Sequence, residues 1–281
     1  MQLKSHDRVL DLSHRIAVVG VINATPDSYV PESRSMDTEA IVARARRYAE
    51  EGADIIEIGG EATGPGSIDV PLEEELKRVL PVIDALRSAL PDLWISVDTY
   101  KSEVALRALR AGADLINDVT AGRGDANMFP AIAQAGCPYI LMYAKDPSPR
   151  TTVQSVRYED VVATVRAFFV QRNAIAFSAG VRKSQLIFDP GLGHFVSSDS
   201  RYSFDLIRRL RELTDIGPLF VSPSRKSFLA GPGNLPPKER LPATLAVTAI
   251  AVLSGARFIR THDILDTRRA VDAAAAISGF R

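Results

Sequence analysis

Leu186-Ile187-Phe188-Asp189-Pro190-Gly191-Leu192-Gly193-His194 is the stretch from which the rest of the chain can be read. Leu186 to Phe188 form an apolar run suited to a strand buried on both faces, and the run delivers Asp189 directly into a Pro-Gly turn. An acid in that position either caps the turn or stands ready for chemistry. The same pattern recurs along the chain, and the recurrence favours chemistry.

Working outward, Ala17 to Ile22 is an apolar run ending in Asn23, followed by the turn-rich Thr25-Pro26-Asp27-Ser28. Asp37 is placed to cap a helix over 38–51 that stops at Gly52, and a strand over 54–58 then runs into Gly59-Gly60-Glu61. Pro71 opens a helix with Glu73, Glu74 and Glu75 in its first turn, where acids suit the dipole, and Pro81 is expected to kink it. Further strands are predicted over 93–97 ending in Asp98, at Leu115 and Ile116 ending in Asn117 and Asp118, over 139–142, over 186–188, over 219–221, and at Phe258 and Ile259. Helices are predicted between and after them over 101–111, 128–135, 156–179, 204–213, 244–253 and 264–277.

The joints Gly52-Ala53-Asp54, Gly112-Ala113-Asp114 and Gly255-Ala256-Arg257 echo one another, each placing glycine where a helix C-cap wants a left-handed residue just before a strand. Eight strands, each followed by a helix, with no change of composition, predict one domain folded as an α/β (β/α)8 TIM barrel. An open doubly wound sheet is the alternative, but its first turn should be glycine-rich, and Asn23-Ala24-Thr25-Pro26 is not. Val9 to Leu12 and Ile16 to Ile22, separated by Ser13 and His14, predict a short N-terminal β-hairpin over one end, its second member continuing inward.

Composition narrows the partners. The chain has 281 residues, 46% of them hydrophobic, and its 34 basic residues balance its 34 acidic ones, so no field draws it to nucleic acid or to a membrane surface. A small molecule is the expected partner. The lone Cys137 excludes an internal disulfide and reads as a small buried hydrophobe. No apolar stretch has signal length and none reaches the roughly 18 residues of a membrane span, so a cytoplasmic location is expected.

In a barrel of this kind the active site lies at the C-terminal strand ends. The residues closing the apolar runs are Asn23, Glu61, Asp98, Asn117, Tyr143, Asp189, the Ser224-Arg225-Lys226-Ser227 turn, and Arg260 with His262. All are polar, and their convergence on one face is the strongest functional signal in the sequence. Asp98, Asn117 and Asp189 offer acceptors to a heterocycle bearing N–H donors, such as the guanidine-like edge of a pterin or purine, although local turn capping would also use such residues. Lys226, Arg260 and His262 point to an anion; Arg260 and His262 are two apart and so face one side, as holding a phosphate or pyrophosphate requires. Lys226 is flanked by Arg225 and hydroxyls, which suits hydrogen bonding to a ring carbonyl better than Schiff-base chemistry. Arg34 and Arg150 sit on proline-bearing loops, where solvation is the simpler expectation. Asn23 beside a pyrophosphate can help hold Mg2+, and no His or Cys cluster suggests zinc or iron.

The motifs resemble those of the dihydropteroate synthase family, pterin-binding barrel enzymes of folate synthesis. They are Val21-Ile22-Asn23-Ala24-Thr25-Pro26-Asp27-Ser28, Gly52-Ala53-Asp54-Ile55-Ile56-Glu57-Ile58-Gly59-Gly60-Glu61-Ala62-Thr63, Ile95-Ser96-Val97-Asp98-Thr99, Ile116-Asn117-Asp118-Val119, Asp189-Pro190-Gly191-Leu192-Gly193, Ser224-Arg225-Lys226-Ser227-Phe228 and Arg260-Thr261-His262-Asp263, spanning nearly the whole chain in the family's order.

The resemblance implies a transferase that condenses 6-hydroxymethyl-7,8-dihydropterin pyrophosphate with p-aminobenzoate to give dihydropteroate and pyrophosphate. It implies that Asp98, Asn117, Asp189 and Lys226 hold the pterin, and that Arg260, Thr261 and His262, with Asn23 as a ligand of Mg2+, hold the pyrophosphate. It also implies that Thr63, Pro65 and Ser227 lie near p-aminobenzoate, and that Asp98, Asp189, Lys226, Arg260 and His262 form the catalytic set. The implied mechanism is SN1-like, and the implied assembly is a homodimer. The chain departs from the family pattern at Gly64, where arginine is usual, at Tyr29 to Glu32, at Tyr143 in place of a histidine, and at His194, where an aromatic is expected and Phe195 follows. Two other readings are a pterin-binding homologue without synthase activity and a methyltetrahydrofolate-dependent methyltransferase-like barrel.

Overall fold

The computed structural model describes residues 1–24 and 38–280; Thr25 to Asp37, and with them Tyr29 to Glu32 and Arg34, lie outside the described residues. Among the described residues ten strands and eight α-helices follow one another. β1 (Gln2–Ser5) and β2 (Arg8–Asp11) precede β3 (Ala17–Asn23), α1 (Thr38–Glu50), β4 (Ile55–Gly59), α2 (Leu72–Ala89), β5 (Trp94–Asp98), α3 (Ser102–Arg110), β6 (Leu115–Asp118), α4 (Met128–Ala135) and β7 (Tyr139–Met142). Then come α5 (Val161–Ser178), β8 (Leu186–Asp189), α6 (Ser200–Arg208), β9 (Leu219–Val221), α7 (Leu241–Leu253), β10 (Ala256–Thr261) and α8 (Ile264–Ile277). The eight strands β3 to β10 close into a barrel in sequence order, β10 pairing with β3, and the pairings are parallel. The (β/α)8 expectation holds.

The hairpin is differently composed from the one expected. β2 pairs antiparallel with β1, Gln2 opposite Asp11 and Ser5 opposite Arg8. The run Ile16 to Ile22 belongs to the barrel instead, because both edges of β3 are taken by β4 and β10. The Asp11 carboxylate accepts from the Ser13 N–H at 2.8 Å and turns the chain out of the hairpin at that point. α5 starts at Val161, five residues later than expected, because Asp160 caps it by accepting from the Ala163 N–H. α2 remains one helix with Pro81 inside it.

The pleat sorts residues inside the barrel. Ala17, Val19, Ile55, Trp94, Leu115, Ile140, Ile187, Phe220 and Phe258 point inward and form one apolar cluster, closed from below by Leu3 and Leu12 of the N-terminal segment. Two residues further along the same strands stand Val21, Glu57, Ser96, Asn117, Met142, Asp189, Ser222 and Arg260. The barrel is therefore oily at its N-terminal end and largely polar at its C-terminal end. The intervening positions, among them Ile56, Val97, Leu141 and Ile259, pack outward against the helices.

The glycine joints sit at the oily end, where Gly52, Gly112 and Gly255 all have φ near +100°. The acid that follows in two of them pins the next strand: Asp54 accepts from the Val18 N–H, and Asp114 accepts from the Ile95 N–H and from Arg87 at 2.7 Å while pairing with Arg8. In the third, Arg257 donates to the carbonyl of Leu12 and ties the hairpin segment to β10. Among the described residues no helix is long and apolar enough to cross a membrane.

Leu12 is fully buried under the barrel, at the end remote from the polar mouth. Leu12→Ala is expected to lower unfolding free energy by about 3 kcal/mol, read by urea denaturation, while leaving ligand affinity at the mouth unchanged.

Candidate active site

The C-terminal strand ends enclose a cavity of about 240 Å³. β3 supplies Asn23, β5 Asp98, β6 Asn117, β8 Asp189 and β10 Arg260, while His262 follows β10, Lys226 comes from the loop after β9, and Thr63 and Gly64 come from the loop after β4. Sequence reasoning named all of these, and the closed barrel brings them to one place. A larger cavity of about 500 Å³ lies at the opposite end, near Met1, Arg257 and Phe280, without a convergent polar set.

A residue that sequence reasoning passed over forms the floor. Glu57 is fully buried; one carboxylate oxygen pairs with Arg260 Nε, and the other accepts from Asn117 Nδ2 at 2.9 Å and from Ser96 Oγ at 3.3 Å. Arg260 Nη2 reaches Asp98 at 3.3 Å, so the guanidinium bridges two carboxylates. The signal was present in the sequence: an acid stands two residues after inward-facing Ile55 in an otherwise apolar strand. The amide oxygen of Asn117 is buried with no hydrogen-bond partner among the described residues, and Asn117 lines the cavity.

Asp189, 2% exposed, accepts from the Gly191 N–H at 2.8 Å. Only glycine fits at position 191, because φ is +69° and a Cβ would lie 2.4 Å from the Tyr143 carbonyl oxygen. Burial raises the Asp189 carboxyl to about 6, against the opposing pull of Lys226. Keeping it ionised in the folded chain costs on the order of 3 kcal/mol of stability above that pH. Burial lowers the Lys226 ammonium to about 8, with Asp189 resisting and Arg260 adding to the shift. Among the described residues no ion pair joins Lys226 to Asp189, and the ammonium stands 5.3 Å from the Phe195 ring centroid. Burial also raises Asp98, Glu57 adding to the rise and Arg260 opposing it.

His262 differs from the cation expected at sequence level. The residue lies exposed at the cavity rim; partial loss of water around the ring, reinforced by Arg260, lowers its pKa from the ordinary imidazole value, so the ring is neutral at physiological pH. Ser224 Oγ accepts from the His262 backbone N–H and lies 3.0 Å from Nδ1, so the serine holds the ring at that nitrogen and leaves Nε2 unengaged by it. Arg225 is the anchor of its turn: it pairs with Asp263 through Nε at 2.8 Å and Nη2 at 2.5 Å, leaving Lys226 to face the cavity.

Other expected residues lie elsewhere. Thr261 is buried behind the site, its Oγ1 accepting from Asp263 N–H and from Thr267 Oγ1. Ser227 begins the short helix after Lys226. Tyr143 is outward-facing, at 3.1 Å from the Tyr158 hydroxyl and edge-on to Phe168, because the inward position is Met142. Glu61 reaches the cavity but is engaged by Lys101, Arg150 and Tyr100. Arg150 is thus paired, with Asp69 at 3.0 Å as well as with Glu61, rather than solvated.

The aromatic displaced at His194 returns one place on. A short helix over Gly193–Phe195 turns Phe195 into the cavity wall, while the His194 carbonyl accepts from Thr151 Oγ1 at 2.8 Å. Among the described residues no atom lies within 4 Å of the Cβ position of Gly64. Asn23 Oδ1 and Asp98 Cβ lie 4.0 and 3.8 Å from the Cβ position of Gly59, so an amide and a carboxylate flank that backbone. Among the described residues no three His, Cys, Asp or Glu side chains gather as a metal site.

Residues 19–262 match the model of the pterin binding enzyme family. The chain is 38% identical over 272 residues to the dihydropteroate synthase of Escherichia coli K12, covering 96% of this chain and 94% of that one. It is 37% identical to the Xanthomonas albilineans dihydropteroate synthase solved with 4-aminobenzoic acid, with a TM-score of 0.90 over 100% of this chain and 99% of the other. The same X. albilineans enzyme with 7,8-dihydropteroate superposes with a TM-score of 0.86 at 36% identity, covering 100% of both chains. With the family model matched over the barrel and its mouth, and relatives of this identity matched nearly end to end, the chain belongs to the pterin-binding enzymes, in their dihydropteroate synthase branch.

Proposed function

We propose that this protein joins 6-hydroxymethyl-7,8-dihydropterin pyrophosphate to p-aminobenzoate, forming 7,8-dihydropteroate and releasing pyrophosphate. The observation that carries the proposal is the gathering of buried acceptors deep in the cavity, the Asp189 carboxylate and the Asn117 amide oxygen, which has no partner among the described residues, with Lys226, Arg260 and His262 around them. The amino-pyrimidine edge of a pterin supplies N–H donors to Asp189 and Asn117, and its carbonyl accepts from Lys226. Asp98 lies across the cavity, with one oxygen toward Arg260.

In the reaction the C–O bond breaks first and its electron pair leaves with pyrophosphate. The resulting cation is delocalised into the pterin and stabilised by Asp98 and Asp189. The neutral arylamine then adds through nitrogen and loses a proton to solvent, so no strong base is required. His262 and the Nη1 edge of Arg260 receive the departing anion, while Phe195 and Thr63 border the side from which the amine enters. Preorganised charge and alignment supply the acceleration.

The donor set at Asn23 fits Mg2+ only as a companion of the substrate, with one amide oxygen from the protein and the remaining positions filled by phosphate oxygens and water. Such an ion would neutralise charge on the departing pyrophosphate. A cytoplasmic setting accords with Cys137, a buried thiol pushed up to about 12 and therefore inert. A homodimer accords with the outer face of α7 and α8: α7 has no charged residue and exposes Ile250 and Leu253, and neighbouring α8 exposes Leu265 and Ile277.

Purified protein given the pterin pyrophosphate, p-aminobenzoate and Mg2+ should release pyrophosphate, and Asp189→Ala should abolish pterin binding in a calorimeter. Pterin binding without turnover would leave a binding protein, and wild-type affinity in the Ala variant would unseat Asp189. Affinity should peak between about pH 6 and 8. Below that window Asp189 takes up a proton and loses acceptor capacity, and above it Lys226 loses its charge; a titration series from acid to alkaline pH measures both limbs. Sedimentation should give about twice the 30.5 kDa chain mass, and Ile250→Asp should return it to the monomer value.

A further inference from the structure

We infer that Glu57 is the positioning residue of this site, holding Arg260 and Asn117 in the orientations in which they meet the heterocycle. The inference rests on the pterin reading given above. Nothing in the resemblance assigns Glu57 a role, and it lies on the cavity floor below the residues that touch the ligand.

An ionised carboxylate only accepts hydrogen bonds. By accepting from Asn117 Nδ2, Glu57 fixes which end of that amide is which: the NH2 group faces Glu57 and the oxygen is left buried, with no partner among the described residues. The site therefore presents an acceptor at this point, and a ligand must bring an N–H. The other oxygen of Glu57 engages Arg260 Nε while Asp98 engages Nη2, so the guanidinium plane is held at two of its three nitrogens. Glu57 also carries counter-charge for Arg260 that Asp98 would otherwise carry alone, which leaves Asp98 freer to face a cationic ring.

Asp98 faces Glu57 on β4, Arg260 on β10 and, with smaller influence, Asp118 on β6 and Glu75 on α2. Burial and then Glu57 raise its carboxyl. Removing the Glu57 charge alone should therefore move the acid limb of the reaction to lower pH, an effect that a purely structural ion pair does not predict.

The test uses Glu57→Gln and Glu57→Asp in the full chain, with 6-hydroxymethylpterin as the binding probe. The amide introduced by E57Q has one acceptor oxygen where the carboxylate met three donors, Arg260, Asn117 and Ser96, so either Asn117 or Arg260 must turn. E57Q is expected to weaken pterin binding roughly 10- to 100-fold, the loss of about one charge-assisted hydrogen bond. Its KM for p-aminobenzoate should stay within about threefold of wild type, and the acid limb of kcat/KM should move down. E57D keeps the charge but withdraws it by one carbon, so binding should weaken less, with the acid limb unmoved.

Either variant, folded by circular dichroism yet binding the pterin as wild type does, overturns the inference, as does a lowered Tm with unchanged affinity. If E57Q does not fold, E57D decides by the same affinity measurement. Failure of the wild type to bind pterin would instead refute the underlying function.

Discussion

A guanidinium buried between two carboxylates holds the mouth of this barrel together. Arg260 is drawn to Glu57 and Asp98, and through Glu57 to Asn117 and Ser96, so four strands meet at one polar knot. Charges taken out of water are tolerated only when paired and hydrogen-bonded, because an isolated one costs several kcal/mol. The knot satisfies that condition for Arg260 and Glu57. It does not extend to Asp189, a buried carboxylate that accepts from the Gly191 N–H, or to the amide oxygen of Asn117, which has no partner among the described residues. Their acceptor capacity is concentrated where a flat polar ring fits.

The opposite end of the barrel makes this tolerable. The apolar layer from Ala17 to Phe258, sealed by Leu3 and Leu12, buries a continuous core, and Asp54 and Asp114 tie strand starts to the helix joints. Stability is concentrated below and strain of ionisation above, a separation typical of barrels whose chemistry sits at the C-terminal face. Electrostatics at the mouth then follow from position. Asp189 and Lys226 are both displaced toward neutrality because water is excluded from each and no direct ion pair relieves them. A ligand that donates to one and accepts from the other restores what folding took away.

The departures from the family motifs are partly compensated within the fold. Phe195 takes the cavity position that His194 does not, through one short helical turn. Tyr143 falls on the outward side of β7 and packs with Tyr158 and Phe168, so its change of residue type touches the helix layer and not the cavity. Among the described residues Gly64 has no such substitute beside it, and the nearby Arg150 is committed to Glu61 and Asp69.

The order of strands and helices, the barrel they imply and the polar residue closing most strands were legible in the sequence, because period-2 apolar runs, glycine caps and turn residues are local properties of the chain. So were Asp98, Asn117, Asp189, Lys226 and Arg260, each standing where an apolar run ends. What needed the tertiary structure was which neighbours those runs acquire. β2 turned out to pair with β1 because β3 has both edges filled by strands distant in sequence. Thr261 and His262 are adjacent in the chain yet face opposite layers, and the Arg260 charge that helps lower the His262 ring pKa reaches it only through the closed mouth. Glu57 is the clearest case: as a residue it is one acid in an apolar strand, and only barrel closure, which sets β10 and β6 across from β4, gives its carboxylate an arginine and an amide to hold.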